Sequence, residues 1–349
     1  MNTQKPCLGR PLGLFLAGGL LFGALGCQSE TGRELGTGTG AEKGSLTVYS
    51  GRGEDLIGPL IERFRKASGI DVKVRYGGSA ELAATILEEG RNSQADVFLA
   101  QDAGAIGAVA DRLSPLPEEL LQRVEERFRG RDQTWVGLSG RARVVVYNTD
   151  RVSEGELPDS IEGFTDPEWS GRLGWPPTNG SFQAFVTAFR LSKGDDEARQ
   201  WLEGIRANRP KDYRNNMAIV AAVASGEIDA GFVNHYYLNQ YLKEEPSAPV
   251  QNHYLKDGDP GALINVSAAG ILKSSRNAAA AREFLDFLLD TEAQRYFAEE
   301  TGEYPLARGV EPKADLVPLS EIETPEVDLS DLGDLKQTLD LLREARVLP

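Results

Sequence analysis

Cysteine and histidine are scarce in this 349-residue chain, with two of each: Cys7, Cys27, His235 and His253. Both cysteines precede the first segment that reads as folded, so the body has no internal disulfide and no thiolate metal site. No His-Glu-x-x-His pair exists, no Gly-x-Ser-x-Gly elbow, and no Gly-x-x-x-x-Gly-Lys-Ser/Thr loop, so an enzyme is not expected. Positive charge is also in deficit. Against 53 acidic residues there are 38 Lys and Arg, a formal charge of -15 with no basic cluster, which argues against a nucleic-acid partner. Long apolar runs are missing except near the N-terminus. There Leu12 to Leu25 is broken by glycines and falls short of the ~20 residues a membrane span needs.

That run follows Lys5 and Arg10 and reads as an export leader over residues 1–26. It ends Ala24-Leu25-Gly26-Cys27, which resembles a bacterial lipobox, with Cys27 as the lipidated first residue of the mature chain. Plain signal cleavage is the other reading. Residues 27–44, rich in Gly, Thr and Glu, form an expected flexible tether.

The rest is long enough for two lobes, and its 40% hydrophobic and 26% charged residues are ordinary for a globular protein. Strand candidates at 46–49, 72–74 and 96–99 alternate with helices at 54–68 and 79–89. That alternation predicts an α/β lobe whose ligand sits beyond the carboxyl ends of its strands. A second α/β segment has strands at 143–147, 229–233 and 263–266. Helices are expected from 182, around Trp201, at 217–224, 278–289, 292–299 and 331–345.

Several constellations could carry chemistry. Gly231-Phe232-Val233-Asn234-His235-Tyr236-Tyr237-Leu238 is a strand ending in two adjacent tyrosines. Both phenol oxygens can reach one cleft there, and phenolate is a hard donor suited to ferric iron; equally, two aromatics can anchor a helix start. The His235 side chain is expected to point away from theirs. Asn179-Gly180-Ser181 opens a helix, as an anion cradle or an ordinary N-cap, and Asn216 has the same ambiguity. Arg141 and Arg143 share a strand face, where a guanidinium fork fits a planar oxyanion or a surface ion pair. Arg52 lies in the first strand-to-helix turn, placed for ligand or for solvent.

Taken in order, Leu46-Thr47-Val48-Tyr49-Ser50-Gly51-Arg52, Ala95-Asp96-Val97-Phe98, Trp135 to Tyr147, Gly226-Glu227-Ile228-Asp229-Ala230, Asn234-His235-Tyr236-Tyr237, Asp259-Pro260-Gly261-Ala262-Leu263 and Glu303-Tyr304-Pro305-Leu306 resemble the bacterial periplasmic ferric-iron-binding proteins of ABC importers. The resemblance runs from about Leu46 to Leu306. It implies a type II periplasmic-binding-protein fold, two lobes joined by a hinge, each a mixed, mostly parallel sheet flanked by helices. Lobe I would be 45–143 plus 268–318, and lobe II 144–267 plus 319–349. It implies Fe(III) as cargo on Tyr236 and Tyr237, and a synergistic anion such as carbonate near Asn179, Gly180, Ser181, Asn216, Asn234 and Arg141, with Arg52 as a further candidate. The implied partners are a permease and its ATPase, and the implied setting is a monomer in the periplasm or at the cell surface, held to the membrane through Cys27.

The departures from the family matter. Where several members place a histidine in the first loop, this chain has Gly53. Where they place a glutamate after the third strand it has Gln101, then Asp102. Where others add a third tyrosine, it has Asn179-Gly180-Ser181-Phe182. The implied ligand set is therefore Tyr236 and Tyr237 with Asp102, and a six-coordinate iron would need a chelating anion or waters. The alternative is a protein of the same fold that captures an organic or phosphorylated anion without iron.

Overall fold

The computed structural model describes residues 44–349. The expected leader, Cys27 and nearly all of the tether lie outside the described residues.

The chain begins with β1 (Ser45–Ser50), α1 (Glu54–Ser68), β2 (Asp71–Tyr76), α2 (Ser79–Glu89) and β3 (Val97–Ala100). Helix α1 buries Ile57, Leu60, Ile61 and Phe64, the stripe that helical periodicity dictates. It stops at Gly69, whose φ of 73° is left-handed and whose N–H closes on the Arg65 carbonyl. Strand β1 pairs in parallel with β2 and β3, so the turns that follow these strands open at one edge.

Short helices α3 (Ala103–Gly107) and α4 (Glu118–Leu121) lead into β4 (Trp135–Asn148). The sequence pattern predicts a strand only at 143–147. The strand is 14 residues long and buried throughout. Its first half escapes pattern reading because small residues sit where backbones crowd: a Cβ on Gly137 would lie 2.6 Å from the Phe128 carbonyl oxygen.

The second half of the molecule holds β5 (Leu173–Trp175), α5 (Gly180–Lys193), α6 (Asp195–Ala207), β6 (Lys211–Asp212), α7 (Asn216–Ala224), β7 (Ala230–Asn234), α8 (Tyr236–Glu244) and β8 (Val250–His253). Trp201 meets Phe182, Phe185, Phe189 and Phe232 in an aromatic core beneath α5 and α6. The chain then crosses back through β9 (Ile264–Ile271) to α9 (Ala278–Leu288), α10 (Thr291–Tyr296) and β10 (Tyr304–Pro305). The predicted continuation of α10 to Glu299 is instead a wider turn, Phe297–Thr301, ended by Gly302 at φ 71°.

The sheet order is β2-β1-β3-β9-β4-β7-β5-β6. Pairing is parallel at the two ends and antiparallel in the middle, where β4 and β9 pass between the halves. Its first half faces β9 and β10, its second half β7 and β8. The closing helix α11 (Leu335–Glu344) packs on α5 and α6, with Thr338 and Thr187 hydroxyls 2.7 Å apart. It starts later than predicted because Leu329–Gly333 forms a 3-10 turn against α3.

Candidate functional site

Strand-to-helix turns from both halves converge on one cleft of about 510 Å³. Gly51, Gly78, Ser79, Gln101 and Asp102 line it from the first half. Asn179, Gly180, Ser181, Asn234, Tyr236 and Tyr237 line it from the second, and Arg141 reaches it from β4. Ala83, Ala84, Leu87, Ala184 and Leu335 add an apolar wall. A larger hollow of about 770 Å³, at Leu238 and Asn239 further along α8, contains none of the predicted site residues.

The tyrosines arise where β7 ends and α8 begins. Their rings stack with centroids 4.3 Å apart at 29°. Tyr236 is buried and Tyr237 half-buried. Burial, and secondarily the neighbouring Tyr237, pushes the Tyr236 phenol well above the ordinary tyrosine value. His235 points the other way, as predicted. Its Nδ1 accepts the Ala142 N–H at 3.2 Å and its Nε2 lies 3.0 Å from the Gly302 carbonyl, to which it donates. Burial lowers its pKa to about 4.

Asn179 caps α5: its Oδ1 accepts from the Ser181 and Phe182 N–H groups and from the Ser181 hydroxyl. A Cβ on Gly180 would meet nothing within 4 Å, so the backbone there faces open cleft. Asn234 Nδ2 lies 3.4 Å from Ser181 Oγ and ties the two turns together. The cap of α7 is Asn215, which accepts the Ala218 N–H at 2.9 Å. Asn216, one residue on, is fully buried beneath the site and accepts the Asn234 N–H at 2.9 Å.

The arginines separate. Arg141 lines the cleft, donates to the Gln101 carbonyl, and keeps a buried Nε without a hydrogen-bond partner. Arg143 lies underneath, with both Asn234 and Asn216 as acceptors. Arg141 Nε lies 3.8 Å from the Glu303 carboxylate, a buried ion pair and not the surface one of the other reading, and Arg143 pairs with no carboxylate among the described residues. Arg52 is not brought to the cleft. Its guanidinium makes two bonds to Glu303, at 3.0 and 2.7 Å, and both residues are buried. Gly53 is exposed and does not line the cleft.

Asp102 caps α3 through the Ala105 N–H at 2.8 Å, and burial raises its pKa. Gln101 beside it keeps a buried Oε1 without a partner. Sequence reasoning missed Ser79, whose Oγ accepts the Gln101 N–H at 2.9 Å in the cleft wall. The Gly77-Gly78-Ser79 turn after β2 was the signal. Among the described residues no group of three His, Cys, Asp or Glu side chains could hold a metal ion, so phenols and Asp102 are the anionic donors the cleft offers.

A model of the bacterial extracellular solute-binding protein family matches residues 92–323. The chain is 36% identical over 308 residues to the major ferric iron-binding protein of Neisseria meningitidis, covering 86% of this chain and 92% of that one. Iron-bound HitA from Pseudomonas aeruginosa is 36% identical with a TM-score of 0.81, over 86% of this chain and 99% of that one. A Trichodesmium protein in complex with iron and citrate ligands is 29% identical with a TM-score of 0.77, over 86% and 99%. The two-lobed, type II periplasmic-binding-protein fold follows from these likenesses.

Proposed function

The chain belongs to the bacterial extracellular solute-binding proteins, and from that premise we propose that it captures ferric iron with a chelating anion and delivers the pair to an ABC permease. The observation that carries this reading is the stacked Tyr236–Tyr237 pair at a cleft between two halves of the sheet. Phenolates are hard donors matched to a hard trivalent ion. With the Tyr236 phenol held protonated by burial, the apo site stays neutral there, and iron must displace the proton to bind.

Two phenolates leave an iron coordinatively unsaturated. Gly180, Asn234 and Arg141, which line the cleft together, would hold an anion that fills the remaining positions, carbonate or a small carboxylate, with Asp102 in the lining contributed by the first half. Lobes I (45–143 plus 268–318) and II (144–267 plus 319–349) then close on the cargo, because iron and anion together contact both. The protein works as a monomer outside the cytoplasmic membrane, tethered through a lipid on Cys27. A Cys27→Ala variant that stays in the membrane fraction removes the tether from this account.

Purified protein given ferric iron and bicarbonate should develop a visible tyrosinate-to-iron charge-transfer band. A wild type that stays colourless and retains no iron with bicarbonate, phosphate or citrate overturns the reading. Gly53 and Gln101, which stand where several members of the resembled family carry a histidine and a glutamate, favour a second reading, capture of an organic or phosphorylated anion without iron. That reading predicts anion binding by calorimetry with no dependence on added iron.

A further inference from the structure

Arg143 is 3% exposed, and the charged or ionisable neighbours that bear on it are the two tyrosines, not a carboxylate. Its Nη1 donates to Asn234 Oδ1 at 3.1 Å and to Asn216 Oδ1 at 3.5 Å. Its Nη2 is buried without a hydrogen-bond partner, and the guanidinium carbon sits 5.6 Å from the centre of the Phe185 ring. A buried cation with no counter-ion is costly, and here burial depresses its pKa to about 9. Such a residue persists where something else needs it.

An arginine has five donors and no acceptor, so any amide that meets it must turn its oxygen toward it. Asn216 Oδ1 faces two donors at once, Arg143 and the Asn234 N–H. Neither can accept, so the orientation of that amide is forced. Its Nδ2 is left buried and unpartnered, while Asn234 presents its Nδ2 to Ser181 Oγ at the cleft. Turned the other way, the Asn234 amide would present a carbonyl oxygen at the cleft and repel an anion.

We propose that Arg143 is a positioning residue: it locks Asn216 and Asn234 with their oxygens inward, so that Asn234, the one of the two that lines the cleft, turns a donor and not an acceptor toward an anion there. It also supplies a buried positive charge beneath the tyrosine pair, which offsets the negative charge of phenolates and anion together. Arg143 touches neither, and the proposal rests on reading the cleft as an iron–anion site.

The test uses the full chain, loaded with ferric iron across a bicarbonate series and an inorganic phosphate series. The readout is the anion concentration that gives half-maximal charge-transfer absorbance. In Arg143→Met that concentration should rise about tenfold or more, as expected for losing a charged hydrogen bond. Arg143→Lys, which keeps the charge but on a shorter side chain without the planar fork that fixes both amides, should fall between Met and wild type. If Arg143→Met does not fold, as judged by circular dichroism, Arg143→Lys carries the test alone. A wild-type anion requirement in the folded Met variant, or in the Lys variant when Met does not fold, overturns the proposal and leaves the iron reading intact. A wild type that binds no iron removes both.

Discussion

Tyr236 and Tyr237 present stacked rings to one cleft while differing in burial, Tyr236 enclosed and Tyr237 half-open. Adjacent residues in a strand would point to opposite faces. These two start a helix instead, one residue after β7, where successive side chains diverge by about 100° and not 180°, and their rings stack at the cleft. Each should be needed for iron. Tyr236→Phe and Tyr237→Phe should each weaken iron retention by on the order of a hundredfold, at least the upper end of what second-sphere changes cost at metal sites. The charge-transfer band should shift or fade in each. Tyr236→Phe also removes a hydroxyl that is hard to ionise, so its iron release should depend less steeply on acid. A phenylalanine variant at either position with unchanged spectrum and affinity removes that tyrosine from the ligand set.

Much of this site was legible because its signals are local. A strand run ending in Tyr236-Tyr237, an Asn-Gly-Ser helix opening and glycine-stopped helices such as α1 all declare themselves within about ten residues. The roles of the arginines were not legible. Arg143 meets Asn216 and Asn234 across sequence separations of 73 and 91 residues, and Arg52 meets Glu303 across 251. Nothing near an arginine in the chain tells whether its partner is a ligand, an amide or a buried carboxylate. The same holds for the first half of β4, whose burial comes from β9 and β10 and not from its own pattern.

The Arg52–Glu303 pair offers a stability test. Burial opposes both charges, yet the pairing outweighs it: Glu303 is held below the ordinary carboxylate range and Arg52 above its own ordinary value. Thr301 and Ser139 hydroxyls add hydrogen bonds to Glu303 at 3.0 and 3.2 Å. Arg52→Met should destabilise the fold by about 3 kcal/mol, because it removes both hydrogen bonds of the main counter-charge and leaves the buried Glu303 carboxylate with Arg141, 3.8 Å away, as its cation. The double variant with Glu303→Leu should recover much of that loss. Urea unfolding of the wild type and the two variants checks it, and a double variant no better than the single one would show that the pair is not a unit.

His235 predicts an acid limit on the apo protein. The unfolded chain takes up a proton on this residue near pH 6.5, and the folded chain resists until about pH 4. Between these values protons favour the unfolded state, so stability present above pH 6.5 is lost as pH falls toward 4. At ~1.4 kcal/mol per pH unit the full effect is about 3 kcal/mol. His235→Asn should be less stable at pH 7, having lost the bridge from Ala142 to Gly302, but should lose less on going to pH 5. Urea midpoints at the two pH values give the comparison. Equal pH slopes in wild type and variant would locate the acid sensitivity elsewhere.

Asp102 separates a capping role from a ligand role. Its side chain accepts the Ala105 N–H at the start of α3, and asparagine caps a helix about as well as aspartate does. Asp102→Asn should therefore leave the thermal midpoint nearly unchanged, whereas Asp102→Ala should cost about 1 kcal/mol of stability. If the carboxylate reaches iron when the halves close, both variants should weaken iron retention alike, by about tenfold or more, because both remove an anionic donor. If Asp102 serves the helix alone, Asp102→Asn should bind iron as the wild type does and only Asp102→Ala should show a defect. Iron retention against citrate, measured beside the melting curves of the two variants, distinguishes the cases, and a fully retentive Asp102→Asn would reduce the protein ligands to Tyr236 and Tyr237.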